Sequence, residues 1–425
     1  MRTRNGFALI LLFLLMFSGC KIYEPVTKRQ NLAYLYRPGA TSLHPRFIVY
    51  HNSDSTSNLM VKVYPTELLF NKANEDGNYK AWLSIQYRAR EVGGSRALTD
   101  SAILEFPFDV SGLDKPFITN ISLKTKAPIE YIVEVVTMDR LRKRAVQSFI
   151  FIDRTSEINS QNYFVMDQST GSLLFNPVVD SSMIFNIYFP KRTVDTLFTH
   201  YYKPDTRIPY PPNLLLSTSL TLDRADSTWQ IGVFKSKGIQ LSEKGIYQFL
   251  KDANDKQGYN MYYFGEYFPL VKTPEQMIDP LVYLADDKEM RELRKNESAK
   301  IAVDNFWLEA GKDINRAKEL IRIYYNRVFY SNYYFTSFKE GWSTDRGMIY
   351  LIYGSPGTLY KTATQERWIY GKEDSDKSIE FVFTKVNHPL SNNVFRLRRS
   401  ADLNSRWVQA VRAWRQGSVF ILEND

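Results

Sequence analysis

The amino-acid sequence predicts a multidomain, mainly β protein: an N-terminal immunoglobulin-like β-sandwich, a second β-domain, a helical segment and a small α+β module. Three observations predict this fold class. The 425 residues are enough for about three domains of ordinary size. Segments rich in β-branched and aromatic residues, separated by turn residues, fill the chain as far as residue 270. Helix-capping signals and apolar residues spaced by three and four positions begin only after that point.

Residues 1–19 have the features of a signal peptide. Two arginines precede the apolar run at residues 7–17, which is too short to span a membrane. Two small residues, Ser18 and Gly19, then stand directly before Cys20, the only cysteine of the chain. This ending resembles the lipobox of bacterial lipoproteins, and the resemblance implies cleavage before Cys20 and acylation of that residue with fatty acids such as palmitate. The alternative is an ordinary cleaved signal peptide followed by a chance cysteine.

The residues after Cys20 bear on location. In bacterial lipoproteins an Asp directly after the cysteine usually retains the protein at the inner membrane, and the residue here is Lys21, which points to the outer membrane. Residues 21–24 lack the acidic cluster often found in surface-exported lipoproteins, which favours the periplasmic face over the cell surface. We therefore expect an outer-membrane anchor through lipidated Cys20, with residues 20–40 as a tether. The formal charge of +9 falls to +7 without Arg2 and Arg4, which is mild and does not demand a nucleic-acid partner, and we predict none.

Residues 41–155 are predicted to form the first β-domain. The strongest hairpin joins residues 129–138 to 145–153 through the polar turn 139–144. The number and spacing of the strands favour an immunoglobulin-like sandwich. Further strands are expected at 46–51, 59–65, 80–88 and 102–110.

Residues 156–270 are predicted to form the second β-domain. A Tyr- and Pro-rich loop at 201–213 interrupts it, because proline stops helices and blocks pairing in central strands. Tyr201 and Tyr202, at the start of this loop, are candidates for an interaction surface. The alternatives are a rigid surface loop and a loop that covers the neighbouring module. Strands are expected at 183–190, 214–222, 228–234 and 246–252.

Residues 271–340 are predicted to be helical. Thr273 and Gln276 have the spacing of a capping box, and a helix at about 297–310 should end at Gly311. The next helix is strongly amphipathic, because apolar residues recur at spacings of three and four. These residues are Ile314, Ala317, Ile321, Tyr324, Tyr325 and Val328.

The C-terminal end of that amphipathic helix, residues 329–335, is aromatic nearly all round. We expect it to be buried between the helix and the domains on either side. The alternative is an exposed platform for a glycan or a peptide, on which Tyr333 and Tyr334 would form the interaction surface.

Residues 341–425 are predicted to form the small α+β module. A polar turn bracketed by two glycines precedes the apolar run 348–353, which we interpret as a strand. Strands at 367–371 and 378–383 would complete an antiparallel meander. A last helix is expected at 404–416, with Trp407, Val411 and Trp414 on one face.

The run GWSTDRG at 341–347 resembles the signature of the GWxTD-domain family of bacterial envelope lipoproteins, and the resemblance extends over residues 265–425. It implies an outer-membrane lipoprotein with β-domains ahead of this module, and it implies no particular activity. The signature residues are Gly341, Trp342, Ser343, Thr344 and Asp345, followed by Arg346 and Gly347. Supporting matches are Phe306-Trp307, Tyr324-Tyr325-Asn326-Arg327-Val328, Gly354, Pro356, Trp368, Tyr370 and Trp414-Arg415-Gln416-Gly417.

The signature admits a structural and a catalytic interpretation. In the structural one, Trp342 is a core anchor, Thr344 and Asp345 accept hydrogen bonds from amides of their own turn, and Arg346 pairs with a carboxylate. The carboxylates within reach are those of Asp345, Glu366 and Glu380. In the catalytic one, Asp345 is a general base and Arg346 holds an anionic group.

Recognisable catalytic and metal-binding motifs are missing from the sequence. It has no GxSxG elbow, no HExxH motif, no glycine-rich phosphate loop and no pair of histidines with helical metal-ligand spacing. We therefore predict no catalytic residue, no metal and no cofactor. The function predicted is a non-catalytic structural or interaction subunit of an envelope assembly for biogenesis, secretion or motility, with envelope proteins as partners. The alternatives are a peptide- or glycan-binding lipoprotein and a hydrolase with a carboxylate–arginine site around Asp345.

The lipid anchor can be tested through its cysteine. Replacing Cys20 with Ser should abolish acylation and release the mature protein from the membrane fraction, because the acyl chains supply the membrane affinity. Fractionation of wild-type and variant cells measures this. If the variant stays in the outer membrane after a high-salt wash, protein contacts rather than lipid hold it there.

Overall fold

The computed structural model describes residues 30–72, 79–94, 97–110, 113–191, 194–222, 224–232 and 238–422. The predicted signal peptide, Cys20 and the first half of the predicted tether lie outside these residues and stay predictions. None of the described helices combines the length and the apolar character that a membrane crossing requires.

The first domain is a β-sandwich of two antiparallel sheets. One sheet has the order β1-β2-β6, and the other has the order β3-β4-β7-β8 with β5 also paired to β4. Buried side chains of both sheets, such as Leu59, Val61, Leu83 and Val133, form one shared core. The strands are β1 (Arg46–His51), β2 (Thr56–Val63), β3 (Asn71–Lys72), β4 (Tyr79–Glu91), β5 (Asp100–Asp109), β6 (Phe117–Lys124), β7 (Glu130–Asp139) and β8 (Arg144–Asp153).

The hairpin expected from the sequence is the β7–β8 pair. Its register runs from Glu130 opposite Asp153 to Asp139 opposite Arg144. The alternation of buried and half-buried residues along β7 matches the period of two that its sequence shows.

The second β-domain also has two antiparallel sheets, with the orders β13-β10-β9 and β12-β11-β14-β15. Phe185 from the first sheet and Leu197, Phe249 and Met261 from the second pack in one core. The strands are β9 (Phe164–Asp167), β10 (Ile184–Tyr188), β11 (Thr196–Tyr202), β12 (Ser227–Gly232), β13 (Ile239–Gln240), β14 (Gly245–Leu250) and β15 (Tyr259–Tyr263).

The strand expected at 214–222 is wrong, because this segment is an irregular loop. Its Leu214, Leu215 and Leu216 are 42%, 74% and 56% exposed. Apolar composition predicted a strand, but a strand also needs a free edge to pair with. Both edges of the preceding strand, β11, are already occupied by β12 and β14.

The C-terminal domain combines helices with one antiparallel sheet of order β16-β17-β18-β19. As predicted, the side chain of Gln276 caps the first helix by accepting a hydrogen bond from the Thr273 amide at 3.2 Å. The helices are α1 (Pro274–Ile278), α2 (Asp287–Lys295), α3 (Ala299–Gly311), α4 (Ile314–Phe335), α5 (Asp345–Tyr353) and α6 (Asn404–Arg415). The strands are β16 (Thr358–Lys361), β17 (Gln365–Tyr370), β18 (Ile379–Lys385) and β19 (Phe395–Leu397). The predicted fold class, a mainly β chain of several domains with a helical segment and a C-terminal α+β module, is confirmed.

The apolar run 348–353 is helical, and its interpretation as a strand is wrong. It belongs to α5, which begins after an N-cap at Thr344 and ends at Gly354. A short run that is apolar at every position has no period, so a buried helix and a buried strand look alike in sequence. The helix is favoured here by its N-cap, because the Thr344 side chain accepts a hydrogen bond from the Gly347 amide.

Part of the predicted tether is built into the C-terminal domain. Residues 33–36 form a 3-10 turn, and Leu32, Ala33 and Tyr36 belong to the core of that domain. The Leu32 amide donates to the carbonyl oxygen of Leu359, on β16, at 2.8 Å. The segment 31–36 is therefore packed structure and not a linker, because it carries apolar side chains that the C-terminal core buries.

This packing can be tested with two truncated forms of the protein that start at residues 30 and 38. The shorter form lacks three buried side chains, and loss of a single large core side chain costs about 3 to 5 kcal/mol. Its C-terminal domain should therefore unfold at a clearly lower temperature, as measured by calorimetry. Equal unfolding temperatures for the two forms would contradict the packing of residues 31–36.

Candidate functional site

The helix α5 lies at the centre of the C-terminal domain and is buried on every side. All eight residues from 346 to 353 are buried, including the charged residue Arg346. A helix leaves amide groups unpaired at its first turn and carbonyl groups unpaired at its last turn. Because water does not reach α5, the surrounding residues must supply partners at both ends.

The amino end of α5 is capped by Thr344. Its hydroxyl accepts a hydrogen bond from the Gly347 amide at 3.1 Å and donates one to the Gly341 carbonyl at 2.7 Å. These two bonds close the GWSTDRG turn onto the first turn of the helix. The Thr344 hydroxyl is therefore engaged in fixing the local backbone.

The two glycines of the turn allow backbone to touch backbone. A Cβ atom at Gly341 would lie 1.9 Å from the carbonyl oxygen of Ser331, on α4. A Cβ atom at Gly347 would lie 1.9 Å from the carbonyl oxygen of Gly341. Neither position has space for a side chain. The backbones of α4, the turn and the first turn of α5 are therefore in direct contact.

Trp342 joins the turn to α4 through its backbone and to the segment after α1 through its ring. Its amide donates to Asn332 Oδ1 at 3.1 Å, and its indole nitrogen donates to Glu340 Oε2 at 2.7 Å. The ring packs edge-on against Tyr283 and is 8% exposed. Trp342 is therefore a core residue, and its ring contacts Tyr283 of the segment after α1.

Asp345 binds groups from β19 and its following loop. Its Oδ2 accepts from the Leu397 amide at 2.8 Å, and its Oδ1 accepts from Arg399 Nη2 at 2.6 Å. The sequence suggested amides of its own turn or Arg346 as partners. Asp345 binds neither of them. Thr344 caps the first turn of the helix, and the side chain of Arg346 is bound to a different carboxylate.

That carboxylate is Glu366, on β17. Arg346 Nη1 donates to Glu366 Oε1 at 3.1 Å, and Nη2 donates to the Asn393 carbonyl at 3.0 Å. The guanidinium also lies 4.0 Å from the ring centre of Phe395. Of the three carboxylates that the sequence placed within reach of Arg346, the structure selects Glu366.

Glu366 is fully buried, and four side chains satisfy it. Besides Arg346, its carboxylate accepts from the Tyr36 hydroxyl at 2.8 Å, Lys361 Nζ at 3.0 Å and the Trp368 indole at 3.0 Å. Burial alone would raise the pKa of Glu366, but Lys361 and Arg346 outweigh it and lower that pKa to about 2. The charged form is therefore the stable one, and its contribution to stability is lost only as the pH falls from 4.5 towards 2.

Two members of this cluster, Tyr36 and Lys361, have no local pattern in the sequence that predicts their contact with Glu366. Tyr36 precedes Glu366 by 330 positions, and Lys361 lies on the neighbouring strand β16. A pairing over such a separation is decided by the packing of the N-terminal segment, which has no local sequence pattern.

The carboxyl end of α5 is satisfied by three further side chains. Arg327 Nη1 donates to the carbonyls of Leu351 and Ile352 at 2.9 and 2.8 Å. The Trp414 indole donates to Ile352 at 3.1 Å, and the Tyr370 hydroxyl donates to the Gly354 carbonyl at 2.8 Å. A cation is favourable here, because the carbonyl end of a helix carries partial negative charge. Burial lowers the pKa of Arg327 to about 10, so it remains charged at neutral pH.

The chain matches the GWxTD domain family over residues 245–416. Residues 245–416 are a GWxTD domain. The match begins at β14 and so includes the last two strands of the second β-domain, upstream of the residue 265 at which the resemblance in sequence begins. The resemblance to the GWxTD domain family is therefore confirmed, and the lipoprotein character that it implied stays a prediction.

No curated protein matches the chain. Among solved structures, a glycosyl hydrolase family 2 member from Bacteroides cellulosilyticus DSM 14838 is similar at 12% identity and a TM-score of 0.19, over 31% of this chain and 17% of that one. A putative beta-galactosidase from Bacteroides fragilis is similar at 14% identity and a TM-score of 0.18, over 32% of this chain and 19% of that one. The matched regions span under a fifth of those proteins, and likeness at this level says nothing about activity.

The loop at 201–213 covers the motif turn of the GWxTD domain. Arg399, which holds Asp345, also donates to the Tyr210 carbonyl at 2.8 Å, and the Ser400 amide donates to the Pro212 carbonyl at 3.1 Å. Lys339 pairs with Asp205 at 3.7 Å. Of the alternatives considered for this loop, the structure matches the one in which it covers the neighbouring module.

The four tyrosines considered for an interaction surface have different surroundings. Tyr201 and Tyr202 are 7% and 8% exposed, so they do not form such a surface. They lie on β11, which is covered on both edges. Tyr334 is half-buried between Tyr36 and neighbouring rings, whereas Tyr333 is 38% exposed and lies beneath the guanidinium of Arg46. Only Tyr333 of the four reaches solvent to a large extent.

The described residues contain no group of three or more His, Cys, Asp or Glu side chains arranged to hold a metal ion. In the GWxTD turn, the charged side chains Asp345 and Arg346 are bound to Arg399 and to Glu366. The arrangement is suited to fixing the position of a buried helix.

The steric role of the turn glycines can be tested by comparing two substitutions. Gly347→Ala should destabilise the protein by about 3 kcal/mol or more, the upper end for overpacking, because the new methyl group would meet a backbone oxygen that cannot move away. Gly232→Ala is the control, since the nearest atom to its Cβ is 3.9 Å away and an exposed site of this kind changes stability by about 0.5 kcal/mol at most. Thermal denaturation measures both. Equal stability of the two variants would contradict the close packing around Gly347.

Proposed function

We propose that this protein is an outer-membrane lipoprotein that acts as a non-catalytic structural or interaction subunit of a cell-envelope assembly. Its anchor is the lipidated Cys20, its domains face the periplasm, and its partners are other envelope proteins. The observation that carries the proposal is that the GWxTD signature is occupied by internal contacts. Each polar side chain of the turn is bonded to another part of the same chain.

The space around the signature supports a structural role. The cavity beside Thr344, Asp345 and Arg346 has a volume of about 30 Å³. A cavity needs about 10 to 15 Å³ to hold one water molecule, so this one has room for one or two waters and not for a substrate. The side chains of Arg346 and Glu366 are only 2% and 0% exposed.

An exposed apolar loop supports a role in protein assembly. Leu214, Leu215 and Leu216 are consecutive, exposed, and held in place by the neighbouring bonds of the loop to the GWxTD domain. Three consecutive exposed apolar residues are unfavourable in a protein that stays alone in water. We assign this loop as the surface that a partner protein covers.

Co-purification from the native membrane tests this assignment. The gently solubilised wild-type protein should bring a stoichiometric partner with it, and Leu215→Asp should lose that partner because a charge would be buried in the interface. Ile301→Asp is the matched control, because Ile301 is 55% exposed on a different surface, helix α3. A wild-type protein that purifies as a lone monomer would contradict the proposed function.

The alternative of a hydrolase with Asp345 as base is tested by Asp345→Asn. This change keeps the shape and weakens the charge-assisted bonds to Arg399 and Leu397, so we expect a loss of about 1 to 2 kcal/mol. Complementation of a deletion strain should then follow the amount of protein in the cell. A variant with wild-type abundance and wild-type thermal stability that fails to complement would make Asp345 a functional residue and defeat the structural role.

A further inference from the structure

A large cleft lies where the two β-domains and the GWxTD domain meet. Its volume is about 920 Å³, within the range of about 300 to 1,000 Å³ typical of ligand sites, which often lie between domains. The first domain contributes residues of β1 and β8 to its walls. Residues 257–260, at the start of β15, and residues 385–389, from the end of β18, line the other walls.

The strand β1 is an edge strand, and its open edge faces this cleft. In its sheet, β1 pairs only with β2. The Asn52 amide donates to the Thr56 carbonyl, so these two residues, next to the strands, form a hydrogen-bonded pair. Hydrogen-bonded and non-bonded pairs alternate along antiparallel strands, so the even-numbered residues of β1 are the ones bonded to β2. Phe47 and Val49 therefore direct their amide and carbonyl groups away from β2.

The backbone groups of Phe47 and Val49 have no hydrogen-bond partner within the described parts of the chain. Both residues line the cleft, and Val49 is only 8% exposed. Outward backbone groups of an edge strand are a template on which another extended chain can pair. Two residues along a strand span about 6.6 Å, which is the repeat of another extended chain.

The other edge strand of the sandwich on this side is β8, and several of its outward backbone groups are bonded to side chains. The Phe151 carbonyl accepts from Gln161 Nε2 at 2.7 Å, and the Asp153 amide donates to Gln161 Oε1 at 2.9 Å. The Gln147 carbonyl accepts from the Tyr34 hydroxyl at 3.1 Å. Side chains thus satisfy part of the β8 edge, whereas within the described residues none does so for Phe47 and Val49 of β1.

The opposite wall offers polar groups suited to the other side of an extended peptide. Within the described residues, the side-chain amides of Gln257, Asn387 and Asn392 have no hydrogen-bond partner, and the buried Asn260 Oδ1 and Tyr163 hydroxyl have none either. An amide side chain offers both a donor and an acceptor, which matches the groups of a peptide backbone.

The charges in the cleft indicate which peptide fits. Arg46 stands at the first residue of β1, and Asp153 lies near the last, because its carbonyl binds the ring of His51. Glu130 is paired opposite Asp153 in the hairpin, and Lys385 also lines this end, with its Nζ 5.6 Å from the ring centre of Phe151. The two signs offset each other there, so charge complementarity favours a segment with an acidic residue at the Arg46 end and uncharged residues along the rest.

We propose that this cleft binds an extended segment of a partner protein, which adds as a strand to the open edge of β1 and pairs with the backbone of Phe47 and Val49. The inference rests on the proposed function only in taking that segment from an assembly partner. The binding itself is a property of the isolated protein.

The probe is a displayed library of random peptides of about 10 residues, the upper range of strand lengths, selected against the protein that starts at residue 30. Binding of a selected peptide should slow hydrogen exchange at the amides of Phe47 and Val49 and leave the Ile48 amide unchanged, because Ile48 is already paired with β2. This measurement uses the unaltered fold and is decisive by itself.

A pair of substitutions gives a second readout. Phe47→Pro removes the outward amide and leaves the β2 ladder intact, whereas Phe47→Ala removes the ring and keeps the amide. We expect Phe47→Pro to weaken peptide binding by about tenfold or more relative to Phe47→Ala, from the loss of one backbone hydrogen bond. Calorimetric titration of both variants measures this, with thermal denaturation as the check on folding.

Three results would overturn the proposal. They are failure of the library to yield a binding peptide, protection of other sites without protection of Phe47 and Val49, and binding of a neutral oligosaccharide in the cleft that leaves both amides unprotected. Because no partner is needed, a failure here is distinct from a failure of co-purification, which would contradict the assembly role and not the peptide site.

Discussion

The burial of one short helix is the constraint on which the GWxTD domain depends. Helix α5 has no side exposed to water, so its amides and carbonyls must be satisfied by the residues around it. Thr344 caps its amino end, and Arg327, Tyr370 and Trp414 satisfy its carboxyl end. The residues that mark the family in the sequence are largely those that enclose this helix. Their side chains supply the hydrogen-bond partners that the amides and carbonyls at the two ends of a buried helix require.

The buried carboxylate of Glu366 extends this constraint to the rest of the chain. Two cations, a phenol and an indole surround it, and they come from the N-terminal segment, from α5 and from two strands of the sheet. Loss of Glu366 would leave the buried guanidinium of Arg346 without its counter-ion, which is far more costly than loss of an exposed ion pair. The cluster therefore fixes the relative positions of these elements, and it accounts for an arginine inside an otherwise apolar helix.

The sequence predicted those elements that have a periodic pattern or a local cap. The β7–β8 hairpin, the strand β1 and the amphipathic helix α4 lie where alternation or three- and four-residue spacing placed them. Residues 348–353 and 214–222 were assigned wrongly as strands, because an apolar run without a period does not reveal whether a neighbour is available for pairing. In the candidate site, Glu366 was among the expected partners of Arg346. Tyr36 was not, because contacts across 330 positions depend on tertiary packing alone.

The position of residues 31–36 also determines the order in which the fold can be completed. These residues are synthesised before both β-domains, yet their neighbours Leu359 and Glu366 are synthesised after both. Contacts between such distant parts of a chain close slowly, because a long loop must be ordered before they form. Along the sequence, the two β-domains therefore lie between two segments that pack in the same core. If Cys20 is anchored in a membrane, the chain that leaves the anchor first enters the fold at the GWxTD core, runs out through both β-domains and then returns to that same core.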